Sequence, residues 1–231
     1  INLGGTATGT GITAPLDYIN LVIEKLAEVS EIPLKRGENC IDCTTNQDSF
    51  AEVAALLSVI AVNFQKICRD MRLLHTLEEI SLAPRQAGSS IMPGKVNPVM
   101  IESLLQGALQ VRASMFIIED CASSGSLQIN EFMPLISDAL LTGIKLLTNM
   151  CTMLSDTLSD IKAREDICRE RFEQSPLLIT AFIPHIGYEK SLELLEEFKK
   201  SDSKTMKSFL TQKLDPELVE KVLSIENLIV L

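Results

Sequence analysis

The stretch SFAEVAALLSVIAVNFQKICRDMRLLH, from Ser49 to His75, decides the fold class of this 231-residue chain. Its apolar residues recur at steps of three and four, as they do on one face of an α-helix. They are Phe50, Val53, Ala54, Leu57, Ile60, Phe64, Ile67, Cys68, Met71 and Leu74. At about 1.5 Å per residue this helix is about 40 Å long. A helix of that length in a soluble protein indicates a helical bundle.

Two later segments show the same periodicity. Asn97-Pro98 predicts a helix start, with Asn97 as the N-cap and Pro98 at the first helical position, and the pattern runs on to Ile118. A third long helix is predicted from Ile129 to Leu158, with Pro134 in its first turns. Trp is absent and aromatic residues make up 4%, so the core must be aliphatic, which suits packed helices better than a β-sandwich. We therefore expect an all-α fold built on a long-helix bundle.

The character of the chain changes after Ser159, where the segments shorten and the density of charge rises. Asp215-Pro216-Glu217 has the form of an N-cap followed by proline and an acidic first turn. The sequence thus predicts a central helix-bundle domain over residues 1–160 and a small helical C-terminal domain over 161–231. The chain opens at Ile1 without Met, and we expect an upstream half to precede it.

Charge and cysteine content narrow the partners. The formal net charge of -10 argues against nucleic acid, because phosphate binding needs clustered Lys and Arg. No signal peptide or uninterrupted apolar span of membrane length is evident, so no membrane partner is expected. The six cysteines lack the spacing of a disulfide framework, which favours a reducing cytoplasm. The lone Cys40-Ile-Asp-Cys43 has no second pair, so no metal site is expected.

A dense polar loop separates the first two long helices. It combines two glycines, two adjacent hydroxyls, one cation and one amide: Gly88, Gly94, Ser89, Ser90, Lys95 and Asn97. Gly88 and Gly94 permit backbone angles that other residues resist, so the loop is predicted to hinge there and to act as a lid. The polar side chains suit an anionic substrate. An ordinary interhelical loop, with capping Ser and Asn and a solvated Lys, explains the same composition.

The loop sequence GSSIMPGKVNP, residues 88–98, resembles the GSSxMPxKxN signature of the fumarase/aspartase superfamily. Other stretches resemble segments of that family: NLGGTATGTG, KICRDMRLL, EEISLAPRQAGSS, GSLQINEFMP and IPHIGYEKS. The resemblance covers essentially the whole chain, as the C-terminal half of a member about twice this long. In the glycine-rich NLGGTATGTG, Thr6, Thr8 and Thr10 either line a site or shape a turn, and the turn is favoured. The segment lacks the strand–helix context of a nucleotide-binding fingerprint.

The resemblance implies a bundle fold, a homotetramer and reversible elimination from a succinyl-type dicarboxylate to release fumarate, with no cofactor. It implies that Ser89 is the catalytic base and that Glu102 pairs with a histidine from another segment. Ser90, Lys95 and Asn97 then contact substrate carboxylates. A serine base requires a site that stabilises its alkoxide, for which Lys95 and loop amides are the candidates.

The continuation NPVMIE favours the aspartate ammonia-lyase branch (NPVxxE) over the fumarate hydratase branch (NPTQxE). The family builds each active site from three regions of three subunits, and this chain contains only the last of them. We therefore expect the chain alone to be inactive, without the N-terminal half. A non-catalytic helical assembly fragment is the alternative from a different class.

Overall fold

The computed structural model describes residues 1–85 and 88–229 and is dominated by helices. They are α1 (Leu16–Ser30), α2 (Asp42–Thr45), α3 (Asp48–Thr76), α4 (Val99–Ser123), α5 (Met133–Ser159), α6 (Glu165–Gln174), a 3-10 helix (Pro176–Phe182), α7 (Ile183–Ile186), α8 (Tyr188–Lys200), α9 (Met206–Lys213), α10 (Pro216–Val222) and α11 (Ile225–Leu228). A two-residue antiparallel ladder joins β1 (Ile80–Ser81) to β2 (Lys162–Ala163), with Ile80 opposite Ala163. The predicted all-α fold class is confirmed.

Contacts divide the described residues into two compact units. The first comprises Ile1–Leu73 and Leu82–Ile161, and the second comprises Leu74–Ser81 and the residues from Lys162 onward. The division into a helix-bundle domain over 1–160 and a small helical domain over 161–231 stays a prediction.

In the first unit, α4 and α5 pack closely along one another. The buried apolar residues of α4 alternate between steps of three and four, and those of α5 face them. They are Ile101, Leu104, Ala108, Val111, Met115 and Ile118 in α4, and Ile136, Ala139, Leu147 and Met150 in α5. Each helix sets a glycine against a methionine of the other: a Cβ at Gly107 would lie 2.9 Å from Met150 Sδ, and one at Gly143 would lie 2.5 Å from Met115 Cε. The close approach of α4 and α5 therefore depends on having glycine, which has no side chain, at positions 107 and 143.

Helix α3 buries a narrower face than its sequence pattern predicts. Phe64, Cys68 and Met71 of the predicted stripe are buried, but Val53 and Ile60 are 42% and 43% exposed. The apolar spacing identifies hydrophobic positions, but it does not indicate which of them are buried within this chain and which stay exposed.

Helix α3 is also long and apolar enough to cross a membrane by length and composition alone, with a mean hydropathy of 1.5 over its best window, of which 22% is buried. The sequence analysis predicts no such span. One helix of this kind is weak evidence of a membrane span, because the core helix of a soluble protein meets the same criteria of length and hydropathy.

Both predicted N-termini in the bundle are shifted. Helix α4 begins at Val99 with Pro98 in the cap position and no side-chain cap, so the prediction of Asn97 as N-cap is wrong. Helix α5 begins at Met133, not at Ile129, because Ile129 forms an isolated bridge with Ser126. The first-turn position of Pro134 is confirmed.

The second unit has its own apolar core. Its fully buried side chains include Phe182, Met206, Leu210 and Val219. The Asp215 side chain accepts a hydrogen bond from Glu217 N at 3.1 Å, which confirms the predicted cap of α10.

Candidate active site

The loop between β1 and α4 is closed at its base by two hydrogen bonds. Gly88 N donates to Lys95 O at 3.0 Å, and Asn97 Nδ2 donates to Gly88 O at 3.2 Å. A Cβ at position 88 would lie 2.4 Å from Lys95 O, so only glycine permits this approach. Gly94 has φ +80°, in the left-handed region. The Asn97 side chain therefore links the two ends of the loop by a hydrogen bond and does not cap α4.

The Ser89 hydroxyl sits under two main-chain donors. Its Oγ accepts hydrogen bonds from Ile91 N at 3.1 Å and from Met92 N at 3.0 Å. Such a turn is common for serine and also serves structure alone. Because both donors point at the same oxygen, they stabilise negative charge on it and thus favour its ionised form. Ser89 is half-buried.

Ser89 and Lys95 line one open cleft of about 650 Å³. The cleft is completed by both glycines of the loop, by Arg85 and by apolar neighbours, namely Pro84, Met92 and Val96. Among the residues that the structure describes, the cleft lining includes two cations, Lys95 and Arg85, and no acidic residue. On a chain of net charge -10, this cleft is locally suited to an anion.

A second, narrower pocket adjoins the stem of the loop. Asn97 and Ile101 line it from the start of α4, and Thr157 and Asp160 line it from the end of α5. Arg85 lines this pocket as well, and its guanidinium forms an ion pair with Asp160. The pair joins the beginning of the loop to the C-terminal end of α5.

The predicted site residues therefore do not all meet in one place. Ser89, Lys95, Gly88 and Gly94 share the cleft, whereas Asn97 lies on the adjoining pocket. Ser90 is exposed and lines neither space, and neither does Glu102, which is half-buried in the first turn of α4.

Arg85 lines the cleft and the adjoining pocket but is not among the predicted site residues. It stands within the quoted stretch EEISLAPRQAGSS, but no local pattern marks it as different from a solvated arginine. Its proximity to the glycine-serine segment was the only available signal.

The N-terminal NLGGTATGTG segment packs against the CxxC region. A Cβ at Gly9 would lie 2.2 Å from Cys40 O, and Gly9 has φ +81°. This fits the predicted turn. Across residues 1–85 and 88–229, no group of three His, Cys, Asp or Glu side chains is placed to hold a metal ion.

Comparison with known proteins gives concordant matches. The sequence model of a family described as lyase matches residues 1–113. Aspartate ammonia-lyases of a Bacillus species and of Pseudomonas aeruginosa are 40% and 39% identical, over 85% and 99% of this chain. The alignments cover 43% and 50% of those proteins, so the chain spans about half the length of the curated relatives it matches.

Solved structures agree. A Brucella melitensis protein described as fumarate lyase:delta crystallin, bound to cobalt, superimposes with a TM-score of 0.87 at 37% identity, over 96% of this chain and 50% of that one. A class II fumarase from Schistosoma mansoni gives a TM-score of 0.86 at 27% identity, over 97% of this chain and 51% of that one.

Proposed function

Because the chain belongs to the fumarase/aspartase superfamily, we propose that it supplies the proton-abstracting loop of an aspartate ammonia-lyase, which converts L-aspartate reversibly to fumarate and ammonia. The names of the curated relatives support this branch. Fumarate hydratase is the second candidate, and the similarity to the Schistosoma mansoni class II fumarase supports it.

The observation that carries the proposal is the pair of main-chain donors on Ser89. In the proposed reaction, Ser89 Oγ, as the alkoxide, takes the proton from the carbon beside a carboxylate. The C–H electron pair passes into that carboxylate as an aci-anion. It then returns to form the C=C bond as the C–N bond breaks, and ammonia leaves. The amides of Ile91 and Met92 lower the cost of the alkoxide before the proton moves.

The neighbouring side chains complete the proposed assignment. Lys95 neutralises the charge that grows on the carboxylate in the transition state. Ser90 and Asn97 are proposed carboxylate contacts. Asn97 Nδ2 donates to Gly88 O in this structure, and it must release that oxygen before it can donate to a substrate carboxylate. Glu102 is proposed to orient a histidine that another segment provides.

The remaining parts of the site are proposed to come from other subunits of a cytoplasmic homotetramer and from an N-terminal half. Large apolar side chains remain exposed on all three long helices of the first unit, as a subunit interface requires. Examples are Leu56 (62%) on α3, Phe116 (67%) on α4 and Leu141 (67%) on α5. A chain with only the last site region is expected to be inactive alone.

The test is the rise in fumarate absorbance with L-aspartate or with L-malate, on this chain and on the full-length form. Turnover of aspartate alone supports the ammonia-lyase, and turnover of malate alone supports the hydratase. Turnover of neither by the full-length form refutes both and leaves a helical assembly role.

The base is tested by Ser89→Ala in the full-length form, which should abolish turnover while the unfolding temperature stays within a few degrees of the unsubstituted protein. Ser175→Ala is the matched control, because the Ser175 hydroxyl also accepts a backbone N–H, from Leu177, but lies in the second unit. Full activity in Ser89→Ala would rule out the assignment.

A further inference from the structure

We propose that Arg85 is a carboxylate-binding residue of the loop cleft, which holds one carboxylate of a dicarboxylate while Lys95 holds the other. The inference rests on the proposed function for the reaction, but the binding it describes is measurable without turnover. It assigns to Arg85 a role that the sequence signature of the loop does not contain.

The first argument is the charge of the cleft. Arg85 and Lys95 line the same space, and none of the other lining residues within 1–85 and 88–229 is acidic. A dicarboxylate carries two negative groups, and each needs a cation or a set of donors in a partly desolvated site. Lys95 is a point charge and satisfies one group. Arg85 is the second cation of the cleft.

The second argument is the geometry of the guanidinium. Arginine carries five N–H donors in a planar fork that matches a carboxylate. Within the described residues, Arg85 donates one hydrogen bond, from Nη2 to Asp160 Oδ2. The side chain is 45% exposed. Further donors are therefore free to bind an anion that enters the cleft.

Asp160 has a positioning role in this arrangement. It projects from the end of α5 and holds the guanidinium beside the loop. An ion pair with partners 45% and 40% exposed adds little to fold stability, because water screens both charges. We therefore infer that the ion pair serves to position the Arg85 side chain and not to stabilise the bundle.

The experiment measures binding of succinate, a dicarboxylate, and of propanoate, its monocarboxylate counterpart, to the full-length protein by isothermal titration calorimetry. Arg85→Gln should weaken succinate binding by roughly tenfold to a hundredfold, as expected for the loss of a charge-assisted hydrogen bond. Propanoate binding should change by no more than about twofold, because Lys95 still holds its single carboxylate. Arg85→Lys should fall between the two, because it keeps the charge and loses the fork.

Two further variants separate direct binding from effects of the ion pair. Asp160→Asn should weaken succinate binding less than Arg85→Gln does, because the asparagine amide oxygen can still accept from the guanidinium and Arg85 keeps its charge. Arg164→Gln is the matched control: Arg164 is 44% exposed and also paired with an aspartate, Asp166, but it lies in the second unit. It should leave binding unchanged.

Three results would overturn the inference: unchanged succinate affinity in Arg85→Gln, an equal loss in Asp160→Asn, or an equal loss in Arg164→Gln. The outcome stays separate from that of the proposed function. A protein that binds succinate through Arg85 but forms no fumarate refutes only the ammonia-lyase. A protein that forms fumarate and binds succinate equally well without Arg85 refutes only the role of Arg85.

Discussion

Replacing Gly88 with alanine should open the base of the polar loop. The new Cβ would lie 2.4 Å from Lys95 O and 2.9 Å from Lys95 C, and backbone atoms cannot rotate away as a side chain can. The two bonds at the base, Gly88 N to Lys95 O and Asn97 Nδ2 to Gly88 O, should be lost together. At about 1 kcal/mol each, they amount to about 2 kcal/mol, or a roughly 30-fold larger open population.

Hydrogen exchange followed by mass spectrometry on peptides that cover residues 88–97 measures this opening. Exchange should be about 30-fold faster in Gly88→Ala than in the unsubstituted protein. The unfolding temperature, followed by circular dichroism, should stay nearly constant, because none of these residues belongs to the buried core. Unchanged exchange across the loop would refute the reasoning.

Two other glycines provide controls for backbone strain. Gly94 and Gly187 both have φ +80°, and a Cβ at either would meet nothing within 4 Å. Alanine at either position costs about 1 kcal/mol in local strain without a clash. Gly187→Ala should leave loop exchange unaltered, and Gly94→Ala should raise it less than Gly88→Ala does. An equal rise at Gly94 would mean that strain, not close approach, governs the loop.

Three further outcomes follow from the packing. Gly107→Ala should destabilise the first unit by about 1 kcal/mol net, because the new methyl would lie 2.9 Å from Met150 Sδ and 3.3 Å from Met150 Cγ, and this overpacking exceeds the gain in helix propensity; an unchanged midpoint in urea would contradict the close helix contact. Met206→Ala should cost the second unit about 2–5 kcal/mol, because that side chain is fully buried; a loss below about 1 kcal/mol in the same assay would be inconsistent with its burial. Iodoacetamide should label exposed Cys151 well before Cys68, and Cys68 should need a higher pH, because burial raises the pKa of the Cys68 thiol and only the thiolate reacts. Equal labelling rates at pH 8 would show that Cys68 is accessible.

The long helices were predictable because their apolar spacing repeats over many turns. Ser49–His75 was predicted and Asp48–Thr76 is observed. The start of α4 was not predictable from Asn97-Pro98, because the same asparagine either caps a helix or bonds to a distant carbonyl. Loop closure brings Gly88 O to it, and no local rule foresees that contact.

The role of Arg85 lay beyond the sequence for a related reason. Its partner Asp160 is 75 residues away, so the pair exists only once the first unit has folded. The exposed positions of the α3 stripe show the opposite limit. Apolar periodicity identifies a surface that needs covering, but it does not say which chain covers it.

The two donors to Ser89 are main-chain groups, and this has a consequence for sequence variation. The Ile91 side chain is 87% exposed and that of Met92 is 51% exposed, so neither is held by packing within this chain. Proline is the only residue that lacks an amide N–H to donate. When positions 91 and 92 are randomised and active variants are selected, proline should therefore be the first residue lost. The hydrogen bonds to Ser89 Oγ depend on the path of the backbone and not on the identity of the side chains at these positions.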